Sequence, residues 1–172
     1  IIFVGLIGII LAFWKLWSLF VLGKAVKAQA GSKTLDVRNP LGRVLKVGED
    51  NFKKDIDTLE LKLAEAIMAE RPSIERGISA VRIISVVAPL AGLLGTVTGM
   101  IVTFQMITLY GTGDPKLMAG GISQALVTTV LGLLVAIPTT LLHSFTASSA
   151  KGIINVLEEQ STGLLAERAE GS

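Results

Sequence analysis

The chain of 172 residues contains no cysteine, one histidine and one tyrosine, and only 17% of it is charged. Without cysteine there is no disulfide framework and no thiolate metal site. A lone histidine, His143, cannot build a metal centre by itself, and no cofactor of any kind is expected. A soluble domain would carry about a quarter charged residues. The shortage is also local: Ile83–Leu109 and Gly120–Leu142 contain no Asp, Glu, Lys or Arg. No nucleophile–base pair, metal cluster or phosphate-binding loop stands out, so an enzyme is not expected.

Apolar residues stand in place of charge, at 51% of the chain. Each uncharged stretch is long enough to cross a hydrocarbon core of about 30 Å, which takes roughly 20 helical residues. The two are joined by a short polar turn at Gly111–Pro115, which makes a transmembrane hairpin. A third apolar run, Ile1–Leu22, holds only Lys15 and is open at its start, so it reads as an N-terminally truncated span. Ala28-Gln-Ala30 has the small-x-small form of a signal-peptidase site, but Lys24 and Lys27 follow the apolar run where a signal peptide has them before it. Trp14 and Trp17 suit an interfacial belt, and the run reads as a retained helix.

Twelve of the sixteen Lys and Arg residues lie between Lys24 and Arg82. The positive-inside rule then puts that segment and the C-terminal tail in the cytoplasm. The organisation expected is all-α and polytopic, with helices extending into a cytoplasmic helical bundle. It comprises a first span over 1–22, a cytoplasmic loop over 23–82, a second span over 83–109, a periplasmic turn over 110–119, a third span over 120–143 and a cytoplasmic tail over 144–172. Acidic residues are interspersed among the basic ones of the loop, which argues against a nucleic-acid surface.

Within the loop, Gly31–Pro40 reads as a break and the chain reads as helical from Glu49. Phe52, Ile56, Leu59, Leu63 and Ile67 make an apolar stripe at spacings of three and four. Pro72 is expected to open the next helix. Glu65–Arg71 and Glu70–Arg76 fall in neighbouring turns. In the tail, Ile153, Ile154, Val156 and Leu157 are expected to pack against the loop helix.

The polar groups inside the apolar stretches define the candidate site. Gly92, Gly95, Thr96, Gly99 and Thr103 share one face of the second span, and the third span repeats the device with Thr128, Thr129 and Gly132. Small residues let helices approach closely in lipid, where hydrophobic transfer no longer drives association. Most threonines there are expected to bond back to their own helix, Thr98, Thr103, Thr108 and Thr140 among them. Gln124 must face protein or water, because an unpaired amide in lipid is costly. Pro89 and Pro138 each free a carbonyl and bend their helices, as static kinks or hinges. No carboxylate lies in these spans. A proton-driven device with this lining needs its titrating group on a partner.

Three segments together, Ala88–Met100, Gly120–Thr129 and Gly132–Pro138, closely resemble the ExbB/TolQ/MotA proton-channel family, with the ExbB branch the nearest match. The resemblance implies a ring-shaped homo-oligomer, a pentamer, in the bacterial inner membrane. It further implies an ExbD-like single-span partner carrying a transmembrane Asp, and a TonB-like periplasm-spanning protein. The implied role is to couple the proton motive force to TonB-dependent transport at the outer membrane. Thr96 and Thr129, with Thr128 and Gln124, would line the ion pathway; Pro89, Gly92, Gly95, Gly99, Gly132 and Pro138 would serve packing or hinging. Many ExbB and TolQ members have Glu where this chain has Gln124. A flagellar-type stator, a TolQ-like envelope subunit and a non-conducting membrane scaffold are the alternatives.

Overall fold

The computed structural model describes residues 2–32, 35–111 and 115–170, apart from the side chains of Tyr110, Pro115 and Leu117. Much of the turn expected at Gly111–Pro115 lies outside the described residues. Five helices follow one another: α1 Ile2–Ala30, α2 Pro40–Asn51, α3 Ile56–Glu75, α4 Ile78–Tyr110 and α5 Pro115–Glu170. The helices α1, α4 and α5 are long and apolar enough to cross a membrane. With 56 residues, α5 is far longer than one crossing requires.

The chain divides into two compact units. One comprises the stretch ending at Phe13 together with Ile78–Ser144, and the other Trp14–Gly77 with the stretch from Phe145 onward. In the first unit, Gly5 of α1 sits beneath Val135 and Gly8 beneath Ile84, so α1 touches both other helices where it lacks side chains. Ala88, Val135 and Ala136 form a small core. The large apolar residues point outward, including Phe3, Leu94, Phe104 and Leu134. In water this would be a severe liability, whereas in lipid it is the expected face of a span.

The second unit is built differently. Asn39 caps α2, its side-chain oxygen accepting from the Gly42 amide at 2.8 Å, and Pro40 occupies the first turn. Asp55 caps α3 by accepting from the Thr58 amide at 2.9 Å. The buried residues Val44, Leu59 and Leu63 pack with Phe52, Ile67, Leu164 and Leu165. Arg43 grips Glu70 through two hydrogen bonds of 2.6 Å and also donates to the carbonyls of Val37 and Arg38. Arg168 donates to the Phe52 carbonyl at 2.8 Å, which ties the far end of α5 to the turn between α2 and α3.

Several local expectations change. The helix expected from Glu49 is interrupted: α2 stops at Asn51, and Asp55 starts α3 after a short turn that lets the two helices fold together. Pro72 does not open a helix but lies inside α3, which continues to Glu75. It forfeits only the bond to the carbonyl of Met68, and both residues face solvent, where water can satisfy that oxygen. The break comes instead at Gly77, whose φ of +85° is left-handed and costs little only for glycine. Gly111, at φ +74°, closes α4 in the same way, its amide donating to the Ile107 carbonyl at 2.8 Å.

The ion pairs join other partners than the neighbouring-turn residues Glu65–Arg71 and Glu70–Arg76. Glu65 pairs with Lys62, Arg71 with Glu75 and Glu158, and Glu70 with Arg43. A separation of six residues puts side chains on different faces of a helix, whereas three or four brings them together. On α5, Ile153, Ile154 and Leu157 are buried as expected. Ile153 faces Gly23 of α1, and Leu164 and Leu165 further along pack against α2 and α3.

Candidate functional site

The candidate site lies in the first unit, where α4 and α5 run against each other with almost no side chains between them. A methyl group built on Gly92 would come within 2.9 Å of the Thr128 carbonyl oxygen and 3.2 Å of the Gly132 Cα. One built on Gly132 would come within 2.8 Å of the Ala88 carbonyl oxygen and 3.0 Å of the Gly92 Cα. Farther along, a methyl group built on Gly99 would come within 2.7 Å of the Ala125 Cβ, and one on Gly121 would meet the Thr103 hydroxyl. The pairs climb one helix as they descend the other, as an antiparallel hairpin requires. Close approach of this kind replaces hydrophobic burial as the source of cohesion in lipid.

Close packing brings hydroxyls onto backbone. Thr96 and Thr129 are hydrogen-bonded to each other through their Oγ1 atoms across the two helices. Thr96 Oγ1 also lies within donating distance of the Gly92 carbonyl, 3.3 Å, and the Ala125 carbonyl, 3.2 Å; Thr129 Oγ1 reaches the Gly92 carbonyl at 3.3 Å. The pair therefore has two protons and, besides each other, two carbonyl acceptors, so it can exchange partners without leaving a group unsatisfied. Thr128 donates to Ala125 at 2.7 Å.

A groove of about 360 Å³ runs beside this interface, and Thr98, Gly99, Thr103, Gln124, Ala125 and Thr128 are among the residues that line it. The expected quartet thus divides. Gln124 opens onto the groove, Thr96 and Thr129 sit in the seam between the helices, and Thr128 does both, its hydroxyl 3.3 Å from the Gly92 carbonyl of α4. Gln124 is exposed on the groove. Thr98 and Thr103 also line the groove, a role their spacing did not signal. Their hydroxyls bond to the Leu94 and Gly99 carbonyls at 2.9 Å, the self-satisfied state expected for them. Thr108 and Thr140 do likewise, on Phe104 and Ala136. Pro89 and Pro138 lie inside α4 and α5. Each helix continues past its proline.

Electrostatically the site is neutral: the lining offers hydroxyls, one amide and carbonyls, with nothing that titrates near pH 7. Among the described residues no group of His, Cys, Asp or Glu is arranged to hold a metal ion. The shifted ionisable groups outside the spans belong to the second unit. The Glu70 carboxylate hydrogen-bonded to Arg43 raises that guanidinium above its ordinary value. The Thr58 amide lowers Asp55, and Lys62 lowers Glu65.

Three long apolar helices, two of them joined through glycine and threonine, define a polytopic helical membrane protein with a polar, non-ionising seam. Residues 36–159 match the MotA/TolQ/ExbB proton channel family. The chain belongs to that family, in its ExbB branch. It is 35% identical over 125 residues to an ExbB homolog of Methanothermobacter thermautotrophicus, covering 70% of this chain and 43% of that one. It is 48% identical over 58 residues to the biopolymer transport protein ExbB of Aquifex aeolicus, covering 34% and 39%. With the Helicobacter pylori ExbB it shares 37% over 86 residues, covering 50% and 59%. The matched stretches span from about two fifths to three fifths of these relatives' own lengths. The family is one of transport and proton-channel proteins rather than an enzyme class.

Proposed function

We propose that this chain is a subunit of a proton-conducting motor that works as a ring of identical copies, a pentamer, in the bacterial inner membrane. The loop between α1 and α4 and the C-terminal tail are cytoplasmic, and the α4–α5 turn is periplasmic. The ring couples the proton motive force to TonB-dependent transport at the outer membrane. The observation that carries this reading is the seam itself. The Thr96–Thr129 pair and the Thr128–Gln124 groove can solvate a charge but hold none. Such a lining suits an acid supplied by another chain, an ExbD-like single-span partner with a transmembrane Asp. Gln124 stands where many relatives place Glu, so in this protein titration falls wholly to that partner. A TonB-like protein would carry the work onward. One charge crossing 100 mV releases roughly 2.3 kcal/mol, enough to bias a packed two-state interface.

The test is proton flux into liposomes holding the chain and its single-span partner. Thr129→Val keeps the shape and removes the hydroxyl from the seam; flux is expected to fall at least ten-fold while the two chains still co-purify. Thr140→Val, which removes a hydroxyl bonded only to its own helix, should leave flux unchanged. Wild-type flux in Thr129→Val, or none with the wild-type chains, would favour a non-conducting scaffold.

A further inference from the structure

In the second unit, a groove of about 440 Å³ lies between α1 and α5. Phe20, Lys24 and Lys27 of α1 line it, facing Ser149, Ile153 and Val156 of α5. Its openness is unlike the seam between α4 and α5. A methyl group built on Gly23 would meet nothing nearer than Ile153 at 3.8 Å, and one on Gly152 would meet nothing within 4 Å. Here the glycines do not pull two helices together; they leave room.

The chemistry of the walls is divided. Phe20, Ile153 and Val156 offer an apolar surface, and the ammonium groups of Lys24 and Lys27 stand three residues apart on the same side of α1. Lys24 Nζ lies 4.5 Å from the centre of the Phe20 ring. No carboxylate lines the groove, and neither lysine is ion-paired with a described residue. Depth along α1 matches this division. Phe20 lies within the apolar run that ends at Leu22, and Lys24 and Lys27 follow it, so the ring meets acyl chains and the ammoniums reach headgroup phosphates.

We infer that this groove holds one anionic phospholipid, its phosphate between Lys24 and Lys27 and an acyl chain along Phe20. Charge complementarity selects the occupant, since two unpaired cations at the end of an apolar trough suit a molecule with an anionic head and a hydrocarbon tail. A free phosphate would leave the trough empty. The site requires only that α1 cross the bilayer, so it stands or falls separately from ion conduction.

Native mass spectrometry of the detergent-solubilised chain tests it, with phosphatidylglycerol, phosphatidylcholine of the same acyl chains, and inorganic phosphate as probes. Phosphatidylglycerol is expected to saturate at one per chain, at least ten-fold tighter than phosphatidylcholine, and to resist displacement by phosphate. Each lysine near a membrane surface contributes on the order of a five-fold effect, so Lys24→Gln with Lys27→Gln should weaken it roughly 25-fold. Lys24→Arg with Lys27→Arg should restore it. Gly152→Phe, which fills open space and keeps both lysines, should also weaken it, whereas Lys53→Gln with Lys54→Gln should not. Equal binding of the two lipids, displacement by phosphate, undiminished binding in the double Gln variant, or equal loss in the Lys53/Lys54 variant would overturn the site.

Discussion

The two units of this protein hold their helices together by opposite means. Between α4 and α5 the contacts are made where side chains are missing, at Gly92, Gly99, Gly121 and Gly132, and hydroxyls rest on carbonyls. Between α2, α3 and the end of α5 the contacts are Val44, Leu59, Leu63 and Phe52 against Leu164 and Leu165, framed by an Arg43–Glu70 clamp. The solvent explains the difference. In water, taking leucine out of solution is itself the driving force. In lipid that force is gone, so cohesion comes from backbone proximity and short polar contacts.

Three substitutions would break or sharpen the contrast. The largest effect is expected from Gly132→Leu. Its Cβ alone would crowd the Ala88 carbonyl and the Gly92 Cα, and backbone cannot move aside as a side chain can. The cost should exceed the usual 1–3 kcal/mol of overpacking, and the hairpin should become protease-sensitive in membranes. Near wild-type resistance would mean the helices are not held by close approach.

Next comes Leu63→Ala in the other unit, where the side chain is 1% exposed. The expected loss is about 2–5 kcal/mol, read as a lowered thermal midpoint by circular dichroism, with proton flux surviving where the fold does. A loss of flux out of proportion to the loss of folded protein would show that the two units do not act separately.

Asp55→Ala should have the smallest effect, a modest drop in the same midpoint from the lost cap on α3. Its pH dependence has a definite sign. The Thr58 amide lowers the carboxyl's folded value below its unfolded one. The contribution is therefore full above the ordinary carboxylate range and disappears as pH falls through the lowered value. Wild type and variant should converge in acid; a constant gap down to low pH would rule out the cap as its source.

Much of this contrast could be read from residues in a row. Uncharged stretches announced α4 and the first part of α5, and spacings of three and four announced both the glycine face and the Leu59–Leu63 stripe. The self-bonded threonines were legible too, because a hydroxyl in lipid finds the nearest carbonyl, a turn back. The turn at Phe52–Asp55 was not, since Phe52 continues the apolar stripe across it and hides the break. Pro72 misled because its cost depends on whether the Met68 carbonyl faces water. Arg43 and Glu70 lie 27 residues apart, and no local rule pairs them.

Order along the chain was enough to determine that three helices cross a membrane, since lipid offers backbone groups no partner outside their own helix and tolerates little charge. It also determined that the spans meet through small residues. Only the tertiary structure decided that Thr96 faces Thr129, that Gln124 turns to the groove instead, and that Leu164 and Leu165 reach the loop helices. Those outcomes depend on how each helix is rotated and on the register in which it meets its neighbour, which composition and spacing leave free.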